Sequence, residues 1–141
     1  VCLRYFNVFS EDQEYGGSYS TVICAWMEMI SKGLPLRLDG DGTQSRDFVH
    51  VDDIVAANVF CMNYDKDFGG EWFDVGSGTV ISLNDIKQIV EDNNQVKFSY
   101  VPERVGDVKT TKADTAKLKN IGWSATIDSK KAIKDCFIKE T

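Results

Sequence analysis

Histidine occurs once in these 141 residues and proline twice. With a single imidazole, His50, and four cysteines, Cys2, Cys24, Cys61 and Cys136, that never fall in paired spacing, neither a zinc site nor a disulfide framework is expected. The cysteines sit inside apolar runs and read as core packing, and a reducing cytoplasm is the compartment that suits them. Long hydrophobic runs are missing too, so no segment is expected to span a membrane, and no signal-peptide pattern opens the chain. Basic residues are in deficit: 16 Lys and Arg against 22 Asp and Glu give a net charge of −6 and a pI near 4.7. That balance argues against nucleic acid or an acidic membrane as partner, since both recruit basic patches. A small anion stays compatible, because a few local arginines can oppose the global sign. Repeats, low-complexity tracts and dividing linkers are absent, and 43% apolar residues are enough for a sizeable core.

What is present concentrates between Gly40 and Asp53, GDGTQSRDFVHVDD. A glycine-bearing turn leads through one arginine into a short alternating strand and ends on two acidic residues placed to start a helix. Gly40 and Gly42 allow backbone angles closed to other residues. Arg46 presents a planar fork of donors that suits a phosphate. Asp52 or Asp53 is expected to cap a helix with apolar positions Ile54, Val55, Ala57, Val59, Cys61 and Met62. Taken alone, the segment reads equally as a polar hairpin turn with a solvated arginine.

Around this stretch, strand and helix patterns alternate. Val1 to Phe9, VCLRYFNVF, is a nearly continuous β-rich run of the kind buried on both faces in a parallel sheet. Opening in mid-strand suggests a piece of a longer polypeptide with an unpaired edge there; a buried first strand of a complete domain is the alternative. A polar loop from Ser10 to Tyr19 precedes a helical stripe of Val22, Ile23, Trp26, Met27 and Ile30, which ends at Lys32 and Gly33. Short strands are expected at Leu36–Leu38, Phe48–Val51 and Trp72–Val75. The last runs into Gly76, Ser77 and Gly78, which admit a close ligand or simply make a tight turn. Ser82 and Asp85 predict a capping box for a helix that buries Leu83, Ile86, Ile89 and Val90. Val96, Phe98 and Tyr100 alternate with polar neighbours as a half-buried strand. In the loop PERVGDV, Arg104 and Asp107 flank Gly106, either for chemistry or as a surface ion pair. Asp114 is expected to cap a short helix, Trp123 to anchor the core, and Asp128 or Ser129 to start a last helix burying Ile133 and Phe137.

Taken in order, LRYFNVF, GDGTQSRDFVHVDDIVAAN, FDVGSG, ERVGDV and KADTAKLKNIGW resemble the C-terminal part of extended short-chain dehydrogenase/reductase enzymes. These are the NAD-dependent sugar-nucleotide epimerases and dehydratases, and the chain looks most like the UDP-glucose 4-epimerase branch. The resemblance implies an α/β fold, the C-terminal part of a Rossmann-type enzyme: the last parallel strands plus the small α/β substrate-binding domain. On that reading residues 1–141 form the sugar-nucleotide-binding portion. Residues 1–9 and 72–76 are final strands of the NAD-binding sheet, whose N-terminal half is absent. The resemblance places Asn7 at the asparagine whose amide reaches the diphosphate of a nucleotide sugar, and Arg46 and Arg104 at the two arginines that clamp it. Asp107 falls at the acid that accepts from ribose hydroxyls, and Phe48 at an aromatic near the nucleotide. Two guanidinium forks suit a ligand of charge about −2. Leu36 to Asp39 aligns with the strand whose backbone edges the uracil ring, where Arg37 and Asp39 are unusual polar occupants.

Several positions depart from that pattern. Ser10 and Glu11 replace a usual glycine and proline, Asp74 a common asparagine, Thr111 the tyrosine of some 4-epimerases, and Ala125 a usual proline. The glycine-rich dinucleotide fingerprint is missing. So is the tyrosine and lysine pair, four residues apart, that the family uses for proton transfer. The expectation is that this chain binds and orients a nucleotide sugar, with a UDP-hexose foremost. Hydride and proton transfer would lie elsewhere in a complete NAD-dependent isomerase, so no catalytic residue and no metal ligand is assigned here and the chain alone should not turn over. Rival readings are a sugar-nucleotide 4,6-dehydratase, a UDP-glucuronate decarboxylase, a non-catalytic nucleotide-sugar binding module, or a structural role. The resemblance leaves room for a homodimer.

Overall fold

The opening apolar run does not form one doubly buried strand. A computed structural model describes residues 1–16 and 20–138, and in it the run breaks at Phe6 into β1 (Cys2–Tyr5) and β2 (Asn7–Phe9). β1 pairs in parallel with β6 (Trp72–Val75), and β2 pairs in parallel with β5 (Phe48–His50). Phe6 N–H donates to the Val75 carbonyl at 3.0 Å and Asn7 N–H to the Asp47 carbonyl at 3.1 Å, so the chain changes neighbours within two residues. Among the described residues no strand covers the second edge of β1. Its side chains are therefore mostly exposed, Cys2 included, contrary to the expected core role, and Leu3 is the one that reaches the core. Cys24 and Cys61 are buried as expected. Cys136 is half-buried, and burial pushes its thiol up to about 11.

The remaining elements are α1 (Val22–Ser31), β3 (Leu36–Asp39), β4 (Ser45–Arg46), α2 (Val51–Met62), β7 (Ile81–Ser82), α3 (Leu83–Asn93), β8 (Phe98–Val101), β9 (Thr110–Thr111), α4 (Ala116–Asn120) and α5 (Ser129–Phe137). β3 pairs in parallel with β8, and β4 lies between β7, antiparallel, and β9, parallel. Parallel neighbours need long crossovers, which the helices supply. The polar loop expected over Ser10–Tyr19 is described to Gly16; Gly17, Ser18 and Tyr19 lie outside the described residues.

Side-chain alternation along β5 divides the interior. Phe48 packs into one apolar cluster with Phe9, Trp26, Leu36, Leu38 and Ile133, while Val49 joins the other with Ile54, Phe73, Val75, Leu118 and Trp123. Trp123 is the anchor its position suggested. The helix starts follow from local chemistry. Thr21 caps α1, Asp128 caps α5 with bonds from Lys130 and Lys131 N–H, and Ser82 with Asp85 closes the capping box of α3. Thr115 stands at the cap of α4 with no side-chain bond, and Asp114, the expected cap, accepts the Ala116 N–H instead.

α2 departs from expectation. It starts at Val51, and its cap is His50 rather than Asp52 or Asp53, with Nδ1 accepting the Asp52 N–H at 3.2 Å. The proton of the neutral ring then sits on Nε2, which faces Glu11 Oε2 at 3.1 Å. Asp53 is buried and accepts from the backbone N–H groups of Thr126 and Ile127 and from the Thr126 hydroxyl. Ile54, Ala57 and Cys61, at helical spacing, face inward. Of the other apolar positions, Val55, Val59 and Met62 lie off that face and are exposed.

A second buried carboxylate joins the halves. Asp47 has no exposed surface, and it accepts four hydrogen bonds: from Ser77 N–H and Oγ–H at 2.8 Å each, Gly78 N–H at 3.0 Å and Ala113 N–H at 3.1 Å. The glycines after β6 are thus explained by the protein itself. A Cβ on Gly76 would lie 2.5 Å from the Ala113 Cβ and 2.9 Å from Asp47 Oδ2. Asp47→Ala should cost roughly 3 kcal/mol or more by stranding these donors. Gly76→Ala should cost about 1–3 kcal/mol by overpacking. Both should lower the urea midpoint, and an unchanged midpoint for either would contradict this assignment.

Candidate functional site

Two strand pairings gather the polar groups. In the β3–β8 pair Asp39 lies opposite Val101, and Gly40 N–H reaches the Val101 carbonyl at 2.9 Å. The chain therefore leaves β8 beside the end of β3. In the β4–β9 pair Arg46 lies opposite Thr111, with Ser45 N–H on the Lys109 carbonyl at 2.8 Å and Asp47 N–H on the Thr111 carbonyl at 2.9 Å. The PERVGDV loop is held at both ends against the GDGTQSRDF segment. It turns back at Gly106, whose φ is +82°, with Asp107 N–H on the Arg104 carbonyl at 3.1 Å.

All five residues singled out from sequence, Asn7, Arg46, Phe48, Arg104 and Asp107, line one cavity of about 450 Å³, together with Arg37 and Asp39. Arg104 and Asp107 do not pair with each other. Arg46 Nη2 donates to Asp107 Oδ1 at 2.6 Å, and its Nη1 donates to the Ser45 carbonyl at 2.8 Å. Arg104 Nε donates to Asp39 Oδ2, and Arg37 Nε to Asp39 Oδ1 at 2.6 Å. Both Arg37 and Arg104 keep more than half of their side-chain surface exposed, whereas Arg46 keeps 19%. Arg46 is thus the rigid member of the group. Phe48 is buried against Phe9, with ring centroids 6.4 Å apart, and contributes wall rather than a free ring.

On the edge of β3 away from β8, side chains already engage the backbone. Trp26 Nε1 donates to the Arg37 carbonyl at 2.9 Å and Gln44 Nε2 to the Asp39 carbonyl at 2.7 Å. Each carbonyl keeps one lone pair. These two side chains were not anticipated from sequence, because their partners are backbone atoms that a residue pattern does not display.

A second cavity, about 790 Å³, runs along β1 and β2 from Arg4 to Ser10 and includes Gln13, Val51 and Thr111. The two cavities share Asn7 and Thr21. The Thr111 hydroxyl, on a residue lining the second cavity, is a buried polar atom with no hydrogen-bond partner among the described residues. Among the described residues no helix is long and apolar enough to cross a membrane.

Asp39 and Asp74 are both buried and both ion-paired. Burial pushes each carboxyl up, but cations and donors outweigh it: Arg37 and Arg104 for Asp39, and Arg4 with the Asp114 N–H and Lys117 for Asp74. Both end below the ordinary 3.8. The unfolded chain then binds protons more readily, so their stabilisation is complete above roughly pH 5 and is lost as pH falls through the folded-state values. Urea midpoints measured from pH 6 to pH 3 should fall on acidification, and Asp74→Asn should flatten that fall; an identical slope in the variant would remove Asp74 from the account.

Three comparisons bear on these groups. The model of the NAD dependent epimerase/dehydratase family matches residues 1–76. The chain is similar to a putative UDP-glucose 4-epimerase of Methanocaldococcus jannaschii, 32% identical over 94% of this chain and 42% of that protein. It is similar also to a UDP-glucuronate 4-epimerase of Thermodesulfobacterium geofontis, 32% identical over 94% of this chain and 40% of that protein. Among solved structures, the UDP-N-acetylglucosamine 4-epimerase of Methanobrevibacter ruminantium M1 in complex with UDP-N-acetylmuramic acid superposes with a TM-score of 0.83. It is 30% identical and aligns over 96% of this chain and 44% of that one. The chain thus spans about two fifths of the length of the curated relatives it matches.

Proposed function

The chain belongs to the NAD dependent epimerase/dehydratase family, and from that premise we propose that it is the nucleotide-sugar-binding portion of a sugar-nucleotide 4-epimerase, with a UDP-hexose as ligand. One observation carries the reading: Arg46 and Arg104, from segments far apart in the chain, border the same cavity as Asn7, and a second cavity shares Asn7 in its wall. Guanidinium forks bind a diphosphate by paired, charge-assisted hydrogen bonds. Asp107, whose Oδ1 holds Arg46, keeps Oδ2 for a ribose hydroxyl. The three relatives named above differ in the sugar and share UDP and the 4-position, which supports UDP more firmly than any one hexose.

The residues along β1 and β2 fit the nicotinamide end of NAD. Tyr5, Phe6 and Val8 offer apolar walls to a planar ring, and the unpaired Thr111 hydroxyl with the Asn7 and Gln13 amides offers partners to a carboxamide. On this reading β1 and β6 are the last strands of the cofactor-binding sheet. When bound, NAD would accept and return a hydride at the sugar carbon. This chain's part is to grip the diphosphate, so that binding energy remote from the reacting carbon holds that carbon where the two cavities meet. Arg46 and Arg104 neutralise the ligand, and Phe48 and Phe9 stiffen the wall behind it.

A module that binds without catalysis is the second reading. In either case the chain should bind UDP-glucose measurably by titration calorimetry. Arg46→Gln should weaken that binding about 10–100-fold, the value of a charged hydrogen-bond pair, with its circular dichroism unchanged. Equal affinity in the variant, or no binding heat at all, would sink the diphosphate assignment. Incubated with NAD, the chain alone should not interconvert UDP-glucose and UDP-galactose, and detectable conversion would overturn its reading as a binding portion.

A further inference from the structure

Asp39 stands in the cleft for a reason the clamp does not supply. Strand β3 alternates leucine with charge: Leu36 and Leu38 are fully buried, so Arg37 and Asp39 turn to the cleft side. Asp39 nevertheless keeps only 9% of its surface. A carboxylate so enclosed stays ionised only if paired, and here it is paired twice, with Arg37 on Oδ1 and Arg104 on Oδ2. The charges facing it are Arg37 on its own strand, Arg104 from the loop after β8, and Arg46 with Asp107 across the cavity, and the side chain of Glu103 lies beside Gly40, the next residue. Among the groups that line the cleft, three guanidiniums against two carboxylates leave one net positive charge. That is one short of a diphosphate diester of charge about −2.

Resting on the diphosphate reading of this cleft, we infer that Asp39 is an internal counter-ion that competes with the ligand: it holds Arg104 in the free protein, and the diphosphate binds by taking Arg104 from it. Arg37 explains why the exchange is tolerable. When Arg104 turns to the ligand, Arg37 still pairs Asp39, so no buried carboxylate is left without a cation, the state that costs most. Arg104, with 68% of its side chain exposed, is free to move, whereas Arg46 is fixed by the Ser45 carbonyl and Asp107. The clamp has one preset arm and one exchangeable arm. Asp39 sets how tightly the second arm closes and so tunes affinity for any diphosphate ligand.

The test is calorimetry on the 141-residue chain with two probes, inorganic pyrophosphate and UDP-glucose. Asp39→Asn keeps the shape and removes the charge, and should bind both probes about five- to tenfold more tightly. Asp39→Ser carries the same expectation should the asparagine variant fail to fold. Asp39→Glu restores the charge and should return to within about twofold of the parent, whereas a merely structural role for Asp39 would make both Asn and Glu bind more weakly. In an Arg104→Gln background the gain from Asp39→Asn should vanish, because the competed group is gone. Unchanged or weaker pyrophosphate binding in both neutral variants overturns the inference, as does the absence of pyrophosphate heat in every protein. If pyrophosphate tightens and UDP-glucose gives no heat, the counter-ion stands and the nucleotide-sugar reading falls. If UDP-glucose binds parent and variants alike, the reverse holds.

Discussion

The carboxylate of Asp47 is the constraint on which the rest of this molecule depends. It lies between Arg46 and Phe48 in sequence, and it is fully buried. A charge in that position must be met by donors from several directions, and it is met by the turn after β6 and by the backbone just beyond β9. Three segments that share no local pattern are thereby pinned to one point. With Asp47 fixed, its neighbours Arg46 and Phe48 both border the cleft, Phe48 as buried wall. The loop that carries Arg104 and Asp107 is tied to the same place through β9. A buried, fully satisfied polar knot of this kind contributes geometry more than net stability.

The cleft is preorganised by its own ion pairs. Every arginine that lines it already has a carboxylate partner: Asp107 for Arg46, Asp39 for Arg37 and Arg104. Pairing holds long side chains in register before a ligand arrives and lowers the rotamer entropy lost on binding. It also screens the positive charge. In a chain of net charge −6, the three guanidiniums and two carboxylates that line the cleft make a local excess of positive charge.

Two cavities share Asn7 and Thr21 in their walls. One is charged and bordered by loops, and the other follows the apolar edge of β1 and β2. The likeness to the relatives spans 94–96% of this chain and some two fifths of theirs, and the family match covers residues 1–76.

Local features were legible from the residues alone. The capping box at Ser82 and Asp85, the helix start at Asp128, the left-handed Gly33 and the core role of Trp123 all depend on neighbours within a turn or on apolar character. The five site residues were named through ordered motifs, and the fold brings all of them to one cavity. The cap of α2 was misplaced because His50 can serve as acceptor through Nδ1 only in the tautomer that its contact with Glu11, 39 residues away, supports. The first strand was overread because apolar content does not reveal how many neighbours a strand will have. Glycines at 76 and 78 signalled a close approach without saying to what. By itself the sequence determined element types, caps and the chemistry on offer, since those are set within a few residues. Only the tertiary structure decided which carboxylate meets which guanidinium, because Asp39 and Arg104 stand 65 residues apart and come together through the pairing of β3 with β8.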